Sequence, residues 1–445
     1  MGRISEQVAA ISGGEMTSVE ATEAAIARIE AGDGALNAVV VRDFDRALVA
    51  AAESDRRRAA GERPPLLGLP MTVKEAFDVE GLPTTWGLTE AADHIATEDA
   101  KVVQRLRAAG AVILGKTNVP PSLSDHQSSN PVYGVTHNPH GHGRSPGGSS
   151  GGAAAAVAAG FVVAEVGSDI GGSIRVPAAF CGIWGLKPTY GLIDKDGHYM
   201  PGFDSHSDEL SVAGPIATSA DDLDLLVGVL ADHPVFEPRF GDLAGVRVAA
   251  LADEAGVPIS AEVRGAFEQC LESFESAGAV VDRSPALPDV AAIQGEYVQM
   301  LLTIMGGGIP PVGQEPKTVR NWFDHLDEQA RTRRAWTAAL DVAASRGGYD
   351  AVLSPVFSTT AFPVDESDLL TRQLDIDGEL VPALSQLVWA SVPIYAGLPS
   401  VVFPAGMGSD GLPIGLQLMG AHHRDRELLA LASHVAQPVV APPGS

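Results

Sequence analysis

Apolar residues recur along this chain with two different spacings, and the alternation between them sets the first expectation about its fold. Near the N-terminus, Val19, Ala24, Ile26 and Ile29 follow the run Thr17-Ser18-Val19-Glu20. In such a run a hydroxyl and a carboxylate three residues apart can satisfy the free amides at a helix start. The spacing predicts a helix over residues 18–30. A second is expected over 45–60, alanine-rich, with Arg56, Arg57 and Arg58 near the end where cations suit the helix dipole, and Pro64-Pro65 stops it. The short apolar run 66–73 reads as a buried strand delivering Lys74. Residues 101–109, followed by Gly110, read as a helix with a glycine stop, and 111–114 as the next strand.

Residues 128–152 break this rhythm with two Asn-Pro steps, several glycines and three histidines, so a long loop is expected there. Loops of that length inside compact chains usually carry function. The pattern then gives a helix over 153–159, a strand over 161–166, a glycine loop over 167–173, a loop from 188 to 215 and a helix from 221 to about 230. Residues 235–345 are less constrained and partly helical, with a strand at 246–251. Strands at 351–353, 400–403 and 413–419 and an amphipathic helix near 425–436 complete the chain. Alternating strand and helix patterns indicate the α/β class. No internal repeat or low-complexity linker divides the sequence, so a single domain is expected over 1–445. Its parts are an N-terminal helical segment (1–65), a core (66–235), a less constrained stretch (236–345) and a C-terminal return to the core (346–445).

Charge narrows the choice of partners. A formal net charge of −26 repels phosphate backbones and anionic bilayers, so nucleic acid and membrane are not expected partners. The most apolar stretch, 151–166, is mostly alanine and contains Glu165, which falls short of the roughly 20 apolar residues of a bilayer span. The opening MGRISEQVAAISGGE shows no secretory signal, and the two cysteines, Cys181 and Cys270, form no disulfide framework, so a cytoplasmic location is expected.

Three features invite a chemical reading: Lys74 after an apolar run, the run Gly147-Gly148-Ser149-Ser150-Gly151-Gly152, and the run Gly167-Ser168-Asp169-Ile170-Gly171-Gly172-Ser173. Glycines flanking serines allow a nest of free backbone amides, and acyl transfer needs such a nest where the carbonyl oxygen becomes an oxyanion. The backbone of Ile170, Gly171 and Gly172, next to Ser173, fits that requirement. A serine needs a base, and a lysine serves once burial disfavours its ammonium. A Ser-Ser-Lys relay is therefore workable without histidine, with either Ser149 or Ser150 as the intermediate hydroxyl on chemistry alone.

These segments resemble the amidase-signature hydrolases. The resemblance rests on GLPMTVKEAFDVEG, TNVPPSLSDHQSSNPVYGVTHNP, RSPGGSSGGAAAAVAAG, VGSDIGGSIRVPAAFCGIWGLKPTYG and GLPSVVFPAGMGSDGLPIGLQLMG, and covers roughly residues 15–235 and 345–435. It implies a mixed, twisted β-sheet surrounded by α-helices, with no metal and no organic cofactor. It further implies Ser173 as nucleophile, Ser149 on a cis peptide bond as proton relay and Lys74 as base. Ser150 and Asp169 would support the site, Arg175 would brace the loop, and Leu123, Gln127 and Ser128 would line an acyl pocket. The implied activity is hydrolysis of small aryl or acyl amides, with carbamates and esters accessible to the same nucleophile, by a monomer or homodimer. The chain departs from the family in carrying Ser168 where threonine is usual, and the variable stretch 236–345, which the resemblance implies shapes the substrate pocket, matches no recognisable subgroup.

Other readings compete at single features. His137, His140 and His142 have metal-ligand spacing but no nearby acidic or cysteine ligand. Gly147-x-Ser149-x-Gly151 satisfies the nucleophile-elbow pattern of α/β-hydrolases, which would recruit a late histidine such as His206, His325 or His422; that pattern demands a strand immediately before it. The resemblance also reaches glutamine-hydrolysing subunits of tRNA-dependent amidotransferases, which commonly have glutamine where this chain has Val176. A non-catalytic anion binder using the glycine loops is the remaining alternative.

Overall fold

The computed structural model describes residues 2–203, 208–306, 318–340 and 348–439. Its strands, in chain order, are β1 (Val39–Arg42), β2 (Pro70–Lys74), β3 (Val112–Thr117), β4 (Ser129–Asn130), β5 (Gly134–Val135), β6 (Ala164–Asp169), β7 (Trp184–Lys187) and β8 (Val212–Ala217), followed by β9 (Arg247–Ala250), β10 (Val280–Asp282), β11 (Ala351–Pro355), β12 (Gln373–Ile376), β13 (Glu379–Pro382), β14 (Ser400–Met407) and β15 (Pro413–Gly420). Eleven of them form one mixed sheet in the order β1-β3-β2-β6-β8-β7-β14-β15-β11-β9-β10. β2 runs parallel to both β3 and β6, whereas β6 and β8 are antiparallel. The strands at the centre are buried on both faces, which is why they read as short continuous apolar runs and not as alternating ones.

Helices cover the sheet: α1 (Arg3–Gly13), α2 (Ser18–Leu36), α3 (Phe44–Ala59), α4 (Lys101–Ala108), α5 (Gly151–Ala158), α6 (Arg175–Cys181), α7 (Ala220–Leu230), α8 (Ala261–Ser276), α9 (Val290–Met305), α10 (Val319–Ala339), α11 (Val388–Tyr395) and α12 (Asp425–Ser433). The expected capping box opens α2, with Thr17 and Glu20 satisfying each other's amides, but the helix runs on to Leu36 and stops at Asn37 in a left-handed conformation. None of the described helices is long and apolar enough to cross a membrane.

Three of these helices, α1, α6 and α11, were not expected; α11, like α6, is buried along its whole length. In α1 the first amides, of Arg3 and Ile4, are accepted by the carboxylate of Asp222, so the cap comes from a residue far along the chain. In α6 every residue is buried, which removes the polar stripe that would have marked it. The expected loop over 128–152 holds the β4–β5 hairpin and the first turn of α5. Residues 188–215 likewise end inside β8 and are not all loop. The variable stretch is mostly helical but also adds β9 and β10 to the edge of the common sheet, with β9 paired to β11.

Candidate active site

Lys74 is the last residue of a strand in which Met71, Val73 and Lys74 itself are fully buried. Its Nζ donates to Ser149 Oγ at 2.7 Å and to Ser168 Oγ at 2.9 Å. Burial is the chief cause that brings the amine down to about 7, against the charges of Asp169, Glu165 and Glu75, which favour the ammonium. Lys116 and Lys187 are as deeply buried, but they donate to backbone carbonyls, Lys116 to Pro83 and Lys187 to Pro188 and Leu398. Lys74 alone of the three meets only hydroxyl groups, the type of partner that can exchange a proton with an amine.

Backbone contacts fix the serine-glycine run that brings Ser149 to the lysine. Gly147 has φ 84°, and a Cβ on Gly148 would lie 2.3 Å from the carbonyl oxygen of Asp125, so neither position has room for a side chain. The Gly148–Ser149 peptide bond is cis. Ser150 faces the other way: its Oγ donates to the Ser168 carbonyl at 3.3 Å and accepts the Ser168 amide at 3.4 Å, pinning the run to the end of β6. Ser149, not Ser150, therefore contacts Lys74. No strand immediately precedes Ser149, so the nucleophile-elbow arrangement is absent from this segment.

Asp169 ends β6 and organises the following loop. Its carboxylate pairs with Arg175 through Nε (2.9 Å) and Nη2 (3.0 Å) and accepts the amides of Gly172 (2.8 Å) and Ile174 (3.1 Å). Burial alone would raise its pKa, but Arg175 and these amides outweigh burial and hold the group at about 2. Arg175 Nη1 also donates to Gln417 Oε1 at 3.1 Å, which ties the loop to β15. The loop carbonyls are engaged as well: Ile170 accepts the Tyr297 hydroxyl at 2.8 Å and Gly171 accepts His126 Nε2 at 2.9 Å. One expected oxyanion donor is thereby corrected. The Gly172 amide is spent on Asp169, whereas those of Ile170, Gly171 and Ser173 have no acceptor among the described residues.

Ser149, Ser168 and Ser173 line one cavity of about 90 Å³. The Ser173 hydroxyl makes no hydrogen bond among the described residues, and Lys74 stands behind Ser149 and Ser168, outside the lining. The rest of the wall is largely apolar, with Trp86, Leu123, Met200, Phe203, Ile304 and Met305, joined by His198, Asp208 and Ser211. Trp86, Ser122 and Leu123 adopt left-handed backbone angles (φ 52°, 52° and 57°), a strained conformation that collects at sites shaped for binding. His198 packs against Phe77 and Trp86, and burial keeps it neutral.

Of the residues expected in an acyl pocket, Leu123 lines the cavity. Gln127 and Ser128 do not. Gln127 is bound to Asp125 and to the backbone of Asp365, and Ser128 Oγ accepts the Gly151 amide at 3.1 Å, so Ser128 braces the serine-glycine run and Gln127 ties its own loop to the segment of Asp365. Sequence reasoning missed Trp86, Met200 and Phe203, which reach the cavity from irregular segments without a pattern. It also missed Ile304 and Met305, whose only signal was their place in the last turn of an apolar helix. The three clustered histidines separate: His137 and His142 pack ring to ring at 4.0 Å, while His140 Nε2 lies 3.1 Å from the Cys181 carbonyl. Among the described residues no group of His, Cys, Asp or Glu converges as a metal site. His325 faces Glu296, His422 contacts the Ala396 carbonyl, and His206 lies outside the described residues.

A family model described as Amidase matches residues 20–307 and 313–429. The chain is 34% identical to a glutamyl-tRNA(Gln) amidotransferase subunit from Thioalkalivibrio sulfidiphilus, covering 96% of this chain and 95% of the relative. It is 32% identical to an acylamidase of Rhodococcus erythropolis, over 96% and 94% of the two chains. A crystal structure of an amidase superposes with a TM-score of 0.82 at 29% identity, covering 98% of this chain and 99% of that one. The chain belongs to the amidase family and is an amide-hydrolysing enzyme.

Proposed function

We propose that this enzyme cleaves small neutral amides with an apolar or aryl acyl group, by way of an acyl-enzyme on Ser173. The observation that carries the reading is the 2.7 Å hydrogen bond between the buried Lys74 amine and Ser149, inside a hydroxyl cluster that opens on the cavity shared with Ser173. Once neutral, the amine turns its lone pair to that contact and accepts the Ser149 proton, while Ser149 takes the proton of Ser173. The step requires the Ser173 hydroxyl, free of other partners, to turn toward Ser149. Its oxygen then bonds the amide carbon, and the carbonyl oxygen takes up the negative charge among the amides of Ile170, Gly171 and Ser173. Collapse breaks the C–N bond, and the proton held by Lys74 returns through Ser149 to the leaving nitrogen. Water enters by the same relay, its proton passing to Lys74 and back to Ser173 as the acid departs.

The apolar wall favours uncharged acyl groups, because a charged one would lose its hydration there while the lining carboxylates are already paired, Asp169 with Arg175 and Asp208 with Lys195. Carbamates and esters present the same electrophilic carbon and belong to the proposed range. The test is a panel of aryl amides, aliphatic amides, carbamates and esters. Wild type should prefer aryl or apolar acyl groups, and Ser173→Ala should lose at least about 10³-fold in turnover with its circular dichroism unchanged. Retention of more than one percent of the rate would refute the assignment of Ser173.

The similarity to amidotransferase subunits supports a second reading, a glutaminase that supplies ammonia to partner chains. The apolar cavity wall and Val176 weigh against it. Glutamine hydrolysis outpacing that of every amide in the panel would favour it.

A further inference from the structure

Glu165 is a fully buried carboxyl group with no role in the relay just described. It lies on β6 directly opposite Thr72 of β2, and Lys74 comes two residues later on β2, so all three share one face of the sheet. Thr117 of β3 is the register partner of Lys74. The Thr72 and Thr117 hydroxyls donate to the two oxygens of Glu165, one each. Both donors favour the ionised carboxylate and fix its orientation beside the lysine.

The other groups acting on the amine are already committed. Asp169, whose charge acts on the amine more strongly than that of Glu165, is paired with Arg175, and Glu75 accepts the amides of Thr85 and Trp86 and the Tyr133 hydroxyl. His198, from the segment after β7, is neutral. Glu165 makes no ion pair among the described residues, and Lys74 is the charge that acts on it.

We propose that Glu165 is a positioning residue for Lys74: its carboxylate, held by Thr72 and Thr117 on the same sheet face, sets the pH range over which the amine can serve as base. The proposal rests on the relay described above. Burial pushes Glu165 itself up to about 7, against the two hydroxyls and the lysine, so the two groups exchange their protons in the same range. Removing the carboxylate takes away a charge that favours the ammonium. The amine then becomes neutral at lower pH, and the enzyme works further into acid.

The experiment is the pH dependence of kcat/KM for an activated aryl ester in wild type, Glu165→Gln and Thr117→Val. Gln is isosteric and can still bond both threonines. Wild type should show activity rising with pH through about 7. In Glu165→Gln the rising limb should move to lower pH by up to about one unit, the difference appearing around and above pH 7, where the wild-type carboxyl is ionised, and vanishing below about pH 6, where it is protonated. Thr117→Val removes one donor to the carboxylate and should move the limb in the same direction by less. Superposition of the Glu165→Gln and wild-type limbs would overturn the proposal while leaving the lysine base intact. Absence of the limb from wild type would instead overturn the base assignment. Should Glu165→Gln fail to fold, the Thr117→Val limb decides: a shift to lower pH supports the proposal, and no shift overturns it.

Discussion

Lys74 is held in a state that costs the fold stability. Its pKa of about 7 lies below the value of an exposed lysine, so between these limits the unfolded chain binds the additional proton. The sign follows: stability contributed by this group rises as pH climbs from about 7 toward 10 and is lowest at pH 7 and below. Lys74→Met keeps the length of the side chain without the charge. At pH 7 it is expected to stabilise the protein by about 2–4 kcal/mol in chemical denaturation, after allowing for the hydrogen bonds lost to Ser149 and Ser168, and to abolish turnover. A variant less stable than wild type at pH 7 would show that the amine is better accommodated than its burial implies. Asp169 presents the opposite case, a buried charge whose partners are complete.

At the scale of elements, the site is built where sequence signals were sharpest and framed by elements that left none. The capping box of α2, the strand before Lys74, the glycine stop at Gly110 and both serine-glycine runs could be read directly, because each depends on a few adjacent residues. α1 could not, since its amides are satisfied by Asp222 across the fold, and α6 could not, since a helix buried all round has no periodic face. The same limit applies to the cavity wall: Trp86, Met200 and Ile304 meet only after folding. Gln127 and Ser128, shortly after Leu123 in sequence, turn elsewhere: Gln127 to Asp125 and Asp365, and Ser128 to the Gly151 amide of the serine-glycine run. That run carries a prediction. A methyl group on Gly148 would press on the backbone of both Asp125 and Gln127, which cannot yield as a side-chain tip would. Gly148→Ala is therefore expected to lose at least about 2 kcal/mol and to lower the thermal midpoint, with activity falling along with it. An unchanged midpoint would mean that the segment relaxes more freely than its contacts imply.

Across the whole molecule, the cavity lies where distant parts of the chain converge on the centre of one sheet. β2 supplies the amine, β6 ends at the loop of Ser173, β15 anchors that loop through Gln417, and α9 closes the wall with Ile304 and Met305. Residues 236–345 thus reach the cavity through Ile304 and Met305 while also extending the sheet edge with β9 and β10. The central claim is that Ser173 becomes acylated with help from Lys74 through Ser149. The most direct measurement is peptide mass spectrometry after reaction with a fluorophosphonate, in wild type and in Lys74→Ala. The account predicts a single adduct on the peptide carrying Ser173, formed at least about a hundredfold more slowly in Lys74→Ala. An adduct on Ser149, or equal labelling rates in the two proteins, would contradict it.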